Sequence, residues 1–203
     1  MVALPITVPA HAEFSSGART VLVLGDSISA AYGIQREQGW VALLAERLAP
    51  HGHAVVNASI SGETTGGGLA RLPGALAEHN PDVVIIELGG NDGLRGYPIK
   101  RMRGNLERMV QLSREAGSQP VLVGMQIPPN YGPRYTKAFR ETFSKVAEQH
   151  DLPFVPFLLE DVALAGETMM QRDGIHPTAE AQPLLLETLW PTLAALLPGV
   201  GVE

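Results

Sequence analysis

"PDVVIIELGG", residues 81–90, is a continuous apolar run closed by proline on one side and glycine on the other. A strand turns successive side chains to opposite faces, so an unbroken apolar run predicts burial on both. Other runs of this kind surround it: Val21–Leu24 closed by Gly25, "HAVVNAS" at 53–59, "QPVLVGM" at 119–125 and "LPFVPF" at 152–157. Between them, apolar residues recur at helical spacing. They do so over Trp40–Leu48, at Leu69, Leu72 and Leu76, over Arg103–Ala116, over Thr136–His150 and over Ala179–Leu197. Gly66-Gly67-Gly68 and Pro73 weaken the start of the second helix. Five strands alternating with helices predict an α/β fold. The sheet is five-stranded and mostly parallel, with right-handed crossovers covering both faces as a three-layer α/β/α sandwich.

The chain has 203 residues, 45% hydrophobic and 18% charged, which suits one domain with a sizeable core. A net charge of -6 argues against a nucleic-acid partner, which needs a basic face. There is no cysteine, hence no disulfide, thiolate metal site or cysteine nucleophile. No apolar run reaches the roughly 18–20 residues of a membrane span. The first residues, "MVALPITVPAHAEF", are apolar and carry Ala10-His11-Ala12, the small-x-small pattern of a signal-peptidase site, but no basic start precedes it. Residues 1–18 read as a truncated export signal or an expression remnant, outside the fold.

In a parallel sheet the segments after the strands meet at one carboxyl edge, where ligands of open α/β sheets bind. Asp26 and Ser27 follow the first strand, and Ser59, Ser61, Gly62 and Glu63 the second. Gly89, Gly90, Asn91 and Asp92 follow the third, the loop "QIPPNYGPRY" at 126–135 the fourth, and Asp173 and His176 the fifth. Each has a plain structural reading. Ser27 suits a helix N-cap. Asp26 suits bonds to nearby backbone N–H groups, Gly62 a tight turn, and Asn91 and Asp92 turn positions. His11, His51, His53, His79 and His150 read as surface or loop residues. His176 differs: Pro177 biases it toward an extended conformation, and Asp173 stands three residues before it. A carboxylate there can accept from imidazole Nδ1–H and leave Nε2 to act as a base. The 126–135 loop reads as a pocket rim, and no cluster suggests a metal site.

Four blocks, "GDSIS" at 25–29, "SISGET" at 59–64, "GGND" at 89–92 and "DGIH" at 173–176, resemble in order and spacing the signature blocks of the SGNH (GDSL-type) hydrolases. The resemblance runs from about Thr20 to Trp190 and is strongest to bacterial multifunctional thioesterase I, lysophospholipase and arylesterase enzymes. Ile28 replaces the leucine of the family name, one apolar residue for another. The resemblance implies a flavodoxin-like SGNH fold over residues 19–203 as a single hydrolase domain. It implies Ser27 as nucleophile, His176 as base and Asp173 as its orienting partner. Ser27, Gly62 and Asn91 would form the oxyanion hole. It also implies a small acyl ester or thioester substrate, no cofactor or metal, and a periplasmic or secreted location.

Two rivals follow. A carbohydrate O-acetylesterase could share the triad but needs a shallow polar cleft rather than an apolar one. A flavodoxin-like binding module without catalysis needs phosphate-cradling glycines, and neither GxGxxG nor GxxxxGK[ST] occurs.

Overall fold

The computed structural model describes residues 17–201. The reading of the N-terminal stretch, with its site at Ala10–Ala12, therefore lies outside the described residues. The strands are β1 (Thr20–Gly25), β2 (Ala54–Asn57), β3 (Val83–Glu87), β4 (Gln119–Val123) and β5 (Phe154–Val155). They pair in the order β2-β1-β3-β4-β5, and every pairing is parallel. The expected sheet is thus present and wholly rather than mostly parallel. The helices are α1 (Trp40–Leu48), α2 (Thr65–His79), α3 (Gly90–Leu94), α4 (Ile99–Glu115), α5 (Pro133–Gln149), α6 (Glu160–Ala165) and α7 (Gln182–Ala194).

The unbroken apolar strands are explained by two cores, one on each face of the sheet. Val21, Val23, Val83, Ile85, Val121, Val123 and Val155 turn to one face, where they pack with Trp40, Leu44, Leu185 and Leu189 of α1 and α7. Their neighbours Leu22, Leu24, Val84, Ile86 and Leu122 turn to the other, against Leu72, Leu106, Met109, Phe139 and Phe143 of α2, α4 and α5. Alternation along each strand feeds both cores at once, so a polar residue at any of these positions would be buried whichever way it faced.

Several boundaries differ from the sequence expectation for identifiable reasons. β5 shrinks to two residues because Pro153 and Pro156 bracket it and neither has an N–H for the ladder. α2 begins at Thr65 despite the glycine run. Thr64 caps it, its hydroxyl accepting from the Gly67 N–H, and Pro73 sits on the solvent side where its missing hydrogen bond costs least. His53 is buried rather than superficial: Nδ1 accepts from the Arg19 N–H at 2.9 Å and Nε2 lies 3.0 Å from the Pro198 carbonyl, tying β1 to the C-terminal segment. No helix starts at Ser27. Residues 27–33 are successive turns, and Ala31 takes a left-handed φ of 59°, which ends any helical run before it forms.

β4 and β5 stay in contact just past their last paired residues, where the Gly124 N–H donates to the Val155 carbonyl at 2.7 Å. A Cβ on Gly124 would lie 2.2 Å from the Pro156 carbonyl oxygen, a backbone atom that cannot swing aside. Gly124→Ala should therefore lower stability by about 1–3 kcal/mol in urea unfolding. Wild-type stability would contradict this close approach.

Candidate active site

In this strand order the chain runs from β1 outward to β2 and then returns past β1 to β3. Connections from β1 and β3 leave toward opposite faces, which opens a crevice between their carboxyl ends. Ser27 follows β1 and Asn91 follows β3, so the crevice brings them together. Both line a cleft of about 540 Å³, with Asp26, Ser61, Gly62 and His176.

Ser27 Oγ lies 2.9 Å from His176 Nε2, and His176 Nδ1 lies 2.7 Å from Asp173 Oδ2. The other Asp173 oxygen accepts from the N–H groups of Ile175 (2.9 Å) and His176 (3.0 Å), so the short loop closes on its own carboxylate. The hydrogen bond from His176, followed by those two N–H groups, lowers the Asp173 pKa to about 2. The carboxylate is therefore charged at neutral pH. Gln171 holds this loop against the turn at residues 27–33: its Nε2 donates to the carbonyls of Tyr32 (2.8 Å) and Pro177 (3.0 Å). The Tyr32 ring lies 4.5 Å from the His176 ring.

The Ser27 side chain thus meets the histidine instead of capping a helix. The backbone of this turn is held instead by Asp26, whose Oδ1 accepts from the Ile28 N–H at 3.1 Å. Asp26 Oδ2 accepts from Asn91 Nδ2 at 3.2 Å. Gly62 takes a left-handed φ of 79°, while a Cβ there would meet nothing nearer than Arg95 Nη2 at 3.8 Å. Backbone conformation, and not crowding, is what requires glycine at this position. Asp92 is structural, as expected: buried, it accepts from Thr65 N and Oγ1, both at 2.7 Å, and fixes α3 to the start of α2.

Glu87 escaped the sequence reading. It ends β3, is fully buried, and its Oε2 accepts from Ser29 Oγ at 2.6 Å and from the Asp26 N–H at 3.2 Å. The signal was there: a single acid inside "VVIIELGG". Burial, and then the charge of Asp26, pushes the Glu87 pKa well up. Burial also raises Asp26 to about 6, against the opposing pull of the Ile28 N–H, His176 and Asn91.

The walls of the cleft are apolar. They include Met125, Ile127 and Pro128 after β4, and Phe157, Leu158, Leu159, Ala163, Met170 and Ile175 farther along the chain. The expected rim loop contributes only Gln126, Ile127 and Pro128, because a 3-10 turn over Pro129–Tyr131 follows and Pro133 then begins α5. The second set was not anticipated. Among the described residues, no group of three or more His, Asp or Glu side chains is placed to hold a metal, and no helix is long and apolar enough to cross a membrane.

A model of the GDSL-like lipase/acylhydrolase family matches residues 23–183, and the chain belongs to that family. It is 56% identical over 184 residues to esterase TesA of Pseudomonas aeruginosa, covering 90% of this chain and 91% of the relative. It is 42% identical over 183 residues to thioesterase 1/protease 1/lysophospholipase L1 of Escherichia coli (strain K12), covering 90% and 87%. The crystal structure of a TesA superposes with a TM-score of 0.84 at 56% identity, over 88% of this chain and all of that one.

The buried Asp26 sets a pH dependence of stability. Because it binds its proton more tightly folded than unfolded, its contribution is fully present below 3.8 and is lost as pH rises through about 6. Asp26→Asn cannot ionise, so its Tm should gain on the wild type as the pH is raised from about 4 to about 8. A Tm difference that stays constant with pH would contradict the burial of a charged group here.

Proposed function

We propose that the chain is a serine hydrolase of acyl esters and thioesters, with Ser27 as nucleophile, His176 as general base and Asp173 as the residue that orients it. One observation carries this reading: the hydrogen-bond chain from Asp173 through both ring nitrogens of His176 to Ser27 Oγ, at the floor of an apolar cleft. With Nδ1–H donated to Asp173, the neutral ring presents its Nε2 lone pair to the serine hydroxyl.

Ser27 Oγ attacks the carbonyl carbon while its proton passes to Nε2. The carbonyl oxygen becomes an oxyanion, held by the N–H groups of Ser27 and Gly62 and by the Asn91 side-chain amide. Collapse breaks the C–O or C–S bond, and Nε2 returns the proton to the leaving alcohol or thiol. Water then gives its proton to the same nitrogen and its oxygen to the acyl carbon, releasing the acid and restoring the serine. No step calls on a cofactor.

The apolar walls support an aliphatic or aromatic acyl group over an acetylated sugar, whose hydroxyls would lie against Phe157, Leu158 and Ile175. The names of the esterase and thioesterase relatives support both leaving groups. We further propose that residues 19–203 act as one hydrolase unit. A periplasmic or secreted location is proposed from the apolar first residues with Ala10-His11-Ala12.

An acyl series on p-nitrophenyl and coenzyme A carriers tests the reading. From acetyl to octanoyl, kcat/KM should climb by up to about threefold to fourfold for each methylene that finds a place in the cleft. Ser27→Ala should lose about 10⁴-fold or more on every member while remaining folded. Preference for acetyl, or turnover of acetylated xylan above that of octanoyl esters, would contradict the apolar-acyl assignment.

A further inference from the structure

Two buried carboxyl groups sit beneath the nucleophile, and the proton transfers above use neither. They differ in their hydrogen bonding. Asp26, 3% exposed, has both oxygens engaged by nitrogen donors, Oδ1 by the Ile28 N–H and Oδ2 by Asn91 Nδ2. Glu87, fully buried, has Oε2 engaged and Oε1 without a hydrogen-bond partner. A bare carboxylate oxygen in such a place is costly. The negative charge therefore belongs on Asp26, where each oxygen is satisfied, and the proton on Glu87. Other charged or titratable groups facing Asp26 are Asp92 of α3, which opposes its charge, and His176 across the cleft, which favours it.

An asparagine amide nitrogen carries two hydrogens. If both were free to rotate, the Asn91 side chain would have to be ordered in each catalytic cycle. With one hydrogen fixed on a buried acceptor, the other points in a set direction. We infer that Asp26 is a positioning residue: its carboxylate pins one N–H of Asn91 so that the second faces the site where the oxyanion forms. This rests on the reading of Asn91 as an oxyanion donor. Glu87 supports it from below, bracing the Asp26 N–H and Ser29 Oγ so that the turn carrying Asp26 and Ser27 does not shift.

A double-mutant cycle tests the inference. Asn91→Ala alone should lower kcat by about 10²–10³-fold. Asp26→Asn has one oxygen where the carboxylate has two, so it can accept from Ile28 N–H or from Asn91 Nδ2 but sets its NH2 against the other donor. It should lower kcat by about 10- to 10²-fold with KM nearly unchanged, since the oxyanion exists only after binding. In the Asn91→Ala background, Asp26→Asn should cost almost nothing further. If Asn91→Ala turns over at the wild-type rate, the oxyanion reading fails and this inference with it. If Asn91→Ala is slow while Asp26→Asn is not, or if the two losses multiply in the double variant, only the role of Asp26 is overturned. A readout independent of the Asp26 variant's folding comes from His176→Ala protein, in which the histidine no longer titrates. There the Asn91 side-chain amide protons should shift in NMR spectra as the buried carboxyls ionise, and a pH-independent pair would overturn the inference.

Discussion

β1 and β3 lie side by side in parallel, with Val21 opposite Val83 and Gly25 opposite Glu87, and the rest of the site depends on that register. It sets the end of one strand against the end of the other at the point where the connections diverge. Ser27 then leaves one strand two residues beyond the last pair, and Asn91 leaves the other four residues beyond it. The last pair itself is tightly constrained. A Cβ on Gly25 would fall 2.6 Å from Ser29 Cβ and 2.7 Å from Glu87 Oε2, so only glycine lets that carboxyl reach under the turn. A one-residue slip would carry the valine and leucine faces into each other's core and pull Glu87 from beneath the turn.

The remaining pieces are fitted to this edge by polar ties between distant segments. Asn57 Nδ2 donates to the Ser29 carbonyl at 2.8 Å while its Oδ1 accepts from the Ser59 N–H, so β2 steadies the turn that carries Ser27. Arg71, paired with Glu63 at 2.9 Å, reaches from α2 to the carbonyls of Ala58 and Gly25. Gln171 does the same for the histidine loop. A rigid sheet supplies the coarse placement, and these bonds hold the Ser27 turn and the His176 loop in fixed positions upon it.

Much of this was legible in the sequence because of its physical origin. Strands buried on both faces must be apolar without alternation, so "VLVL" and "VVIIE" stand out, and parallel order then collects their C-terminal residues at one edge. Ser27, Gly62, Asn91, Asp173 and His176 all line or flank one cleft for that reason. What stayed hidden depends on partners far away in the chain. His53 looks like a loop histidine until Pro198 and Arg19 enclose it. Gln171 is an ordinary polar residue until the turn at Tyr32 arrives beside it. The wall from Phe157 to Ile175 belongs to short elements with no long periodicity to mark it. The serine was ambiguous because a hydroxyl after a strand suits a cap or a nucleophile equally. The approach of His176 Nε2 to Ser27 Oγ, at 2.9 Å, is what supports the second reading.

The buried acids show a conflict between stability and chemistry. A sheet edge free of charge would be more stable, yet the turn is built around Asp26 and Glu87. The central claim is that Ser27 is an activated nucleophile. It is tested most directly by treating the protein with a fluorophosphonate and locating the adduct by peptide mass spectrometry. The account predicts one phosphonyl group, on Ser27, with labelling strongly slowed in His176→Ala. An adduct on any other residue, or no adduct on folded protein after long exposure, would contradict it.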